Sequence, residues 1–154
     1  MVKPNITRLP DWPERLIDYF ERMKTVGFEW GKNDCILFAL GAAQVMTGID
    51  TAKDFRGLYK TALGAARVMQ KRFGTTNLSE AADAFKTKWE SEEILNVLMA
   101  QRGDIVEADV VSAEGGSGPS LGVVDLDGTH ALFAGPSGAI RIKITDCRRA
   151  WRVG

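Results

Sequence analysis

Histidine is almost missing from this chain: His130 is the only one, and cysteine is limited to Cys35 and Cys147. A lone imidazole and two widely separated thiols cannot supply the ligand set of a structural zinc site, and no cofactor or metal is expected. No apolar run approaches the roughly 18 residues that span a bilayer, so membrane insertion is not expected. The N-terminal stretch MVKPNITRLPDWPERL lacks the apolar core of a secretion signal. The expected setting is therefore reducing, where a Cys35–Cys147 disulfide has nothing to recommend it and the Asn5-Ile6-Thr7 sequon is idle. Charge of one sign is missing too. Twenty basic residues balance twenty acidic ones, leaving no overall field to draw nucleic acid or an anionic surface. The one basic cluster, Arg148, Arg149 and Arg152, reads as a solvated edge or an interface.

What is present fits one domain over residues 1–154, with 45% hydrophobic and 26% charged residues. The pattern is helical from about 11 to 101 and changes to strands and tight turns from about 103 to 153. Helices followed by strands predict an α+β fold, with N-terminal helices packed on a small antiparallel half-barrel sheet. Asp11-Trp12-Pro13-Glu14 has a capping-box layout, and Leu16, Tyr19/Phe20 and Met23 carry a helix toward Gly27. Asn33-Asp34 caps a second helix from Cys35 to Met46, stopped by Thr47-Gly48. A third runs from about Lys60 to Phe73 with Leu63, Ala66, Met69 and Phe73 on its apolar face. A fourth starts near Asn77 or Ser79 and carries Ala82 and Phe85. Residues 92–101 read either as a short helix or as an approach to the sheet.

Four or five short strands follow. Gly103-Asp104-Ile105-Val106 opens the first, and Ala113 to Pro119 is a flexible loop. Leu121 to Leu126 is the next strand, and Asp127-Gly128 is a two-residue hairpin turn that pairs Asp125 with His130. Ala139 to Ile144 and Ala150 to Val153 complete the sheet.

Two stretches together carry a family resemblance. The first is Phe28-Glu29-Trp30-Gly31-Lys32-Asn33-Asp34-Cys35-Ile36-Leu37-Phe38, which delivers a cysteine onto a helix start. The second is Gly103-Asp104-Ile105-Val106 with Leu121-Gly122-Val123-Val124 and the Asp127-Gly128 turn. In this order they resemble the NlpC-like, papain-fold cysteine peptidases of the cell wall. With the terminal Ala150-Trp151-Arg152-Val153 they look closest to the small NlpC-like proteins encoded among phage and prophage tail genes. The resemblance implies that Cys35 holds the nucleophile position, where helix N–H groups and the helix dipole favour a thiolate. Read from the residues alone, Cys35 also suits a small buried apolar position.

The family histidine that accepts the cysteine proton would fall at Ser120, or at Leu121 in a register one residue away. The third polar residue of the family falls near Leu132. His130 is the only substitute in the chain. With Asp125 opposite His130, Ser120 is five strand residues away, roughly 17 Å, and on the other face. Proton transfer needs about 3 Å or one water. Two functions follow from the resemblance. One is a non-catalytic structural or assembly protein of a phage tail tip, docked on tail-hub proteins in the virion or met in the host cytoplasm during assembly. The other is an active amidase or endopeptidase on peptidoglycan stem peptides, using a Cys35 thioester with His130 or a partner-supplied base. A third possibility is a wall-binding module that keeps the cleft without the chemistry.

Overall fold

The computed structural model describes residues 6–84, 91–111 and 116–154. Four helices precede six strands, and the strands form one antiparallel sheet, so the chain is α+β.

Helix α1 spans Trp12–Met23 and buries Leu16, Tyr19 and Phe20. Asp11 stands at its N-cap, but the expected capping box does not form. The Asp11 backbone is not extended (φ −99°, ψ 26°), and its carboxylate accepts from Arg15 Nε at 2.8 Å instead. Gly27 lies beyond the helix rather than ending it. Its role is close approach, because a Cβ there would stand 2.5 Å from the Pro136 carbonyl oxygen. Helix α2, Leu37–Thr47, is almost entirely buried and ends at Gly48 in the left-handed conformation, φ 76°. Small residues let it lie against α1. The Tyr19 hydroxyl sits against Gly41 and donates to the Phe38 carbonyl at 2.6 Å.

Helix α3, Ala62–Phe73, is capped by the Thr61 hydroxyl, and α4, Leu78–Ala82, by the Asn77 side chain. The apolar face of α3 differs from the expected one. Ala65 and Met69 enter the core, whereas Leu63 is 61% exposed. Phe85, assigned to the fourth helix from the sequence, falls outside the described residues, as do 113–115 of the expected loop.

The strands are β1 (Glu93–Ile94), β2 (Ile105–Val111), β3 (Ser117–Val124), β4 (His130–Phe133), β5 (Ile140–Lys143) and β6 (Arg149–Trp151), in the order β1-β6-β2-β3-β4-β5. The ambiguous segment 92–101 supplies the extra edge strand β1 and a 3-10 turn at Val97–Met99. Strand β3 begins earlier than expected, because Ser117, Gly118 and Pro119 pair with Val111, Val110 and Asp109. The two-residue hairpin turn is replaced by a wider one. Gly128 donates to the Asp125 carbonyl and takes φ 73°, and the Asp127 carboxylate binds the Thr129 and His130 N–H groups. The closing pair is nevertheless Asp125 and His130, with Asp125 N donating to His130 O at 2.8 Å.

Strand alternation gives the sheet two apolar faces. Ile105, Leu121, Val123, Leu132 and Trp151 pack on the helices, while Val106, Ala108, Val124, Ala131, Phe133 and Ala150 belong to a second cluster on the far side. The chain end is core rather than tail. Trp151 is fully buried in β6, between β1 and β2. The basic cluster is likewise tied down in part: Arg149 bonds Glu93, Asp83 and Ser79, and Arg148 pairs with Asp109. Asp104, fully buried, joins both ends of the chain by accepting from Arg8, from Val153 N and from Gln101 N. Burial pushes its carboxyl up from the usual range. Among the described residues no helix is long and apolar enough to cross a membrane.

Candidate functional site

Cys35 lies in the turn leading into α2, two residues before its first residue, Leu37. The backbone locks this turn to the sheet, since Leu121 N of β3 donates to the Cys35 carbonyl at 2.8 Å. The two segments singled out in the sequence therefore meet in space. Two clefts meet at this point as well. One, of about 430 Å³, runs from Cys35 toward α3 and is lined by Phe55, Tyr59, Ala65 and Met69. The other, of about 180 Å³, lies beside Phe28, Val110, Ser120 and Pro136. Trp30, Cys35 and Pro119 line both.

The residue before the thiol organises the turn. Asp34 is fully buried, and one carboxylate oxygen accepts from Ile36 N and Leu37 N, both at 3.0 Å. The other accepts from Gly31 N at 3.0 Å and from the Tyr59 hydroxyl at 2.7 Å. The helix starts at Leu37 with Ile36 at its N-cap, not at Cys35 behind Asn33-Asp34. Asp34 still binds the Ile36 and Leu37 N–H groups at its start, groups that a thiolate or an oxyanion would need. The Cys35 thiol is pushed up to about 12, by burial first and then by the Asp34 charge. The helix start therefore does not favour the thiolate as its position alone implies. Tyr59 has no sequence signal linking it to the cysteine. Burial and Asp34 push its phenol up, so it stays a donor to Asp34.

The other candidates are placed as follows. Ser120 is buried and lines the smaller cleft, and Leu121 holds the cysteine backbone. Leu132 is an apolar core residue of β4. His130 lies at the hairpin, where its Nδ1 is 3.0 Å from Asp127 Oδ2 and 2.9 Å from Thr129 Oγ1. It is also opposite Asp125, four strand residues beyond Leu121, which at about 3.3 Å per residue is roughly 13 Å. It lines neither cleft. Among the described residues lining the clefts, Tyr59 is the only ionisable side chain besides Cys35. Cys147 is a buried free thiol of the far cluster, and both cysteines are unpaired with each other. Trp30 lines both clefts, whereas Trp151 is in the core.

The geometry defines an α+β domain with a half-buried cysteine at the junction of a helix start and a sheet. The chain belongs to the family described as Domain of unknown function (DUF6950), which it matches over residues 7–153. No curated protein and no solved structure matches it.

Proposed function

We propose that this chain is a non-catalytic structural or assembly protein of a phage tail tip, built on an NlpC-like papain fold that no longer performs peptidase chemistry. The resemblance supplies the setting, and one observation carries the loss of chemistry. Cys35 opens onto clefts where, among the described residues, the only other ionisable lining side chain, Tyr59, is already committed to Asp34. A cysteine nucleophile needs a neighbour that removes its proton and returns it to the leaving amine. Ser120, Leu121 and Leu132 offer no such group. The alternative, an amidase acting through a Cys35 thioester, would require a base supplied by a partner, or His130 to leave Asp127 and cross from the hairpin to the cleft.

Purified cell-wall peptidoglycan incubated with wild-type protein and with Cys35→Ala tests the chemistry. No soluble peptide is expected from either, and release by the wild type alone would overturn the proposal. The tail assignment is tested separately by fractionating a lysate of cells producing the phage particles. The protein is expected with assembled tails or tail-tip intermediates. Intact tails formed in its absence would count decisively against an assembly role.

A further inference from the structure

Folding breaks up the sequence cluster of Arg148, Arg149 and Arg152 and builds another from distant segments. Arg148 and Arg149 turn to acidic partners. Arg8 and Arg102 instead gather on Trp12, the first residue of α1, and Arg152 precedes Val153, whose carbonyl Arg8 holds. The Arg8 guanidinium lies 4.3 Å from the centre of the Trp12 ring and that of Arg102 5.7 Å. Arg8 also donates to the Arg102 carbonyl at 2.8 Å and to the Val153 carbonyl at 2.7 Å, which draws the three segments together. Both Arg102 and Arg152 act electrostatically on Arg8.

Among the described residues the only carboxylate bound into this group is Asp104, fully buried, with both oxygens engaged by Arg8, Val153 N and Gln101 N. Three guanidinium groups against one carboxylate leave two positive charges over, on a chain whose formal net charge is zero. Asp11, next to Trp12, is paired with Arg15, and the further acids along these segments are Glu14, in the first turn of α1, and Glu92, whose carbonyl accepts from Arg152 N. Among the described residues neither forms an ion pair with Arg102 or Arg152, and no other acid does. Arg8 is part of the framework, while Arg102 is exposed and Arg152 half-buried.

We propose that Arg102, over the Trp12 ring, and Arg152, beside the Val153 that Arg8 holds, form a docking surface for an acidic, carboxylate-rich segment of a partner protein. The inference extends the assembly reading by naming the surface and the chemistry of its partner. Charge complementarity selects the partner: a carboxylate segment supplies what the patch lacks. Arginine and tryptophan are also the residues that most often dominate protein interfaces. Nucleic acid fits less well. Two open guanidiniums fall short of the several phosphate contacts such binding uses, and cations already cover the Trp12 ring on which a base would stack.

The test is fluorescence anisotropy of a labelled oligo-glutamate peptide, with an oligo-glutamine peptide and a single-stranded oligonucleotide as comparisons. The wild type is expected to bind oligo-glutamate in preference to both, more weakly as salt rises. Arg102→Glu/Arg152→Glu is expected to weaken binding by about ten-fold or more. The neutral pair Arg102→Gln/Arg152→Gln should fall between, and unchanged thermal melts of either pair keep the loss assignable to charge. No binding by the wild type, equal binding by the folded variants, or preference for the oligonucleotide would each overturn the proposal. Cys35→Ala is expected to bind as the wild type does, so this result and the peptidoglycan result stand apart.

Discussion

A carboxylate one residue before a thiol acts on it twice. Asp34 raises the cost of a Cys35 thiolate by its charge, and it also takes the Ile36 and Leu37 N–H groups that would have compensated that cost. With the thiol near 12, its thiolate fraction at pH 7 is smaller by on the order of a thousand-fold than that of a free cysteine of pKa about 8.5. Alkylation of Cys35 by iodoacetamide, followed by mass spectrometry in a Cys147→Ser background, is therefore expected to be far slower than that of a free thiol at pH 7. The rate should keep rising above pH 9. A Cys35 that reacts like a free cysteine at pH 7 would refute this account. Asp34→Asn removes the charge and should speed the reaction. Asp34→Ala goes further and leaves the Gly31 N–H, the Tyr59 hydroxyl and two helix N–H groups without their acceptor. It should cost about 2–4 kcal/mol in a urea denaturation experiment, more than an ordinary cap, because the site is buried.

The hairpin between β3 and β4 is where an element, rather than a residue, decides function. Its turn holds His130 against Asp127, and the register fixes it away from the cysteine. The Asp127 carboxyl is held down to about 2, chiefly by the Thr129 N–H and then by the His130 contacts. A depressed carboxyl contributes stability that is present above its unfolded value of about 4 and is lost as pH falls through 2. Asp127 is about a third exposed, so solvent screens much of this. Asp127→Asn should flatten the decline of thermal stability between pH 4 and pH 2 without altering the rate of Cys35 alkylation. A change in that rate would mean that the hairpin and the cysteine communicate, which the register does not provide for.

At the scale of the whole molecule, the C-terminal strand belongs to the core. Trp151 is fully buried between the helices and the sheet, and Val153 is tied to Arg8 and Asp104. Trp151→Ala should cost about 3–5 kcal/mol, and removal of 150–154 should abolish cooperative thermal unfolding. Truncation therefore reads out folding, and docking has to be read from surface changes such as those at Arg102 and Arg152. A truncated chain that kept a wild-type melt would show that β6 is dispensable.

The sequence by itself determined the order of helices and strands, the Asp34 carboxylate at the start of α2, the glycine stop at Gly48 and the Asp125–His130 pair. Each of these depends on interactions within a few residues, which caps, turns and side-chain periods encode directly. The tertiary structure alone decided the rest. Which face of α3 is buried depends on what packs against it, so Leu63 could point outward although its spacing marked it as core. The engagement of Tyr59 with Asp34, the separation of His130 from Cys35, and the gathering of Arg8 and Arg102 on Trp12, with Arg8 holding the Val153 beside Arg152, all involve residues far apart in the chain. No local pattern encodes such meetings, because they arise only when strands and helices bring distant segments within a few ångströms of one another.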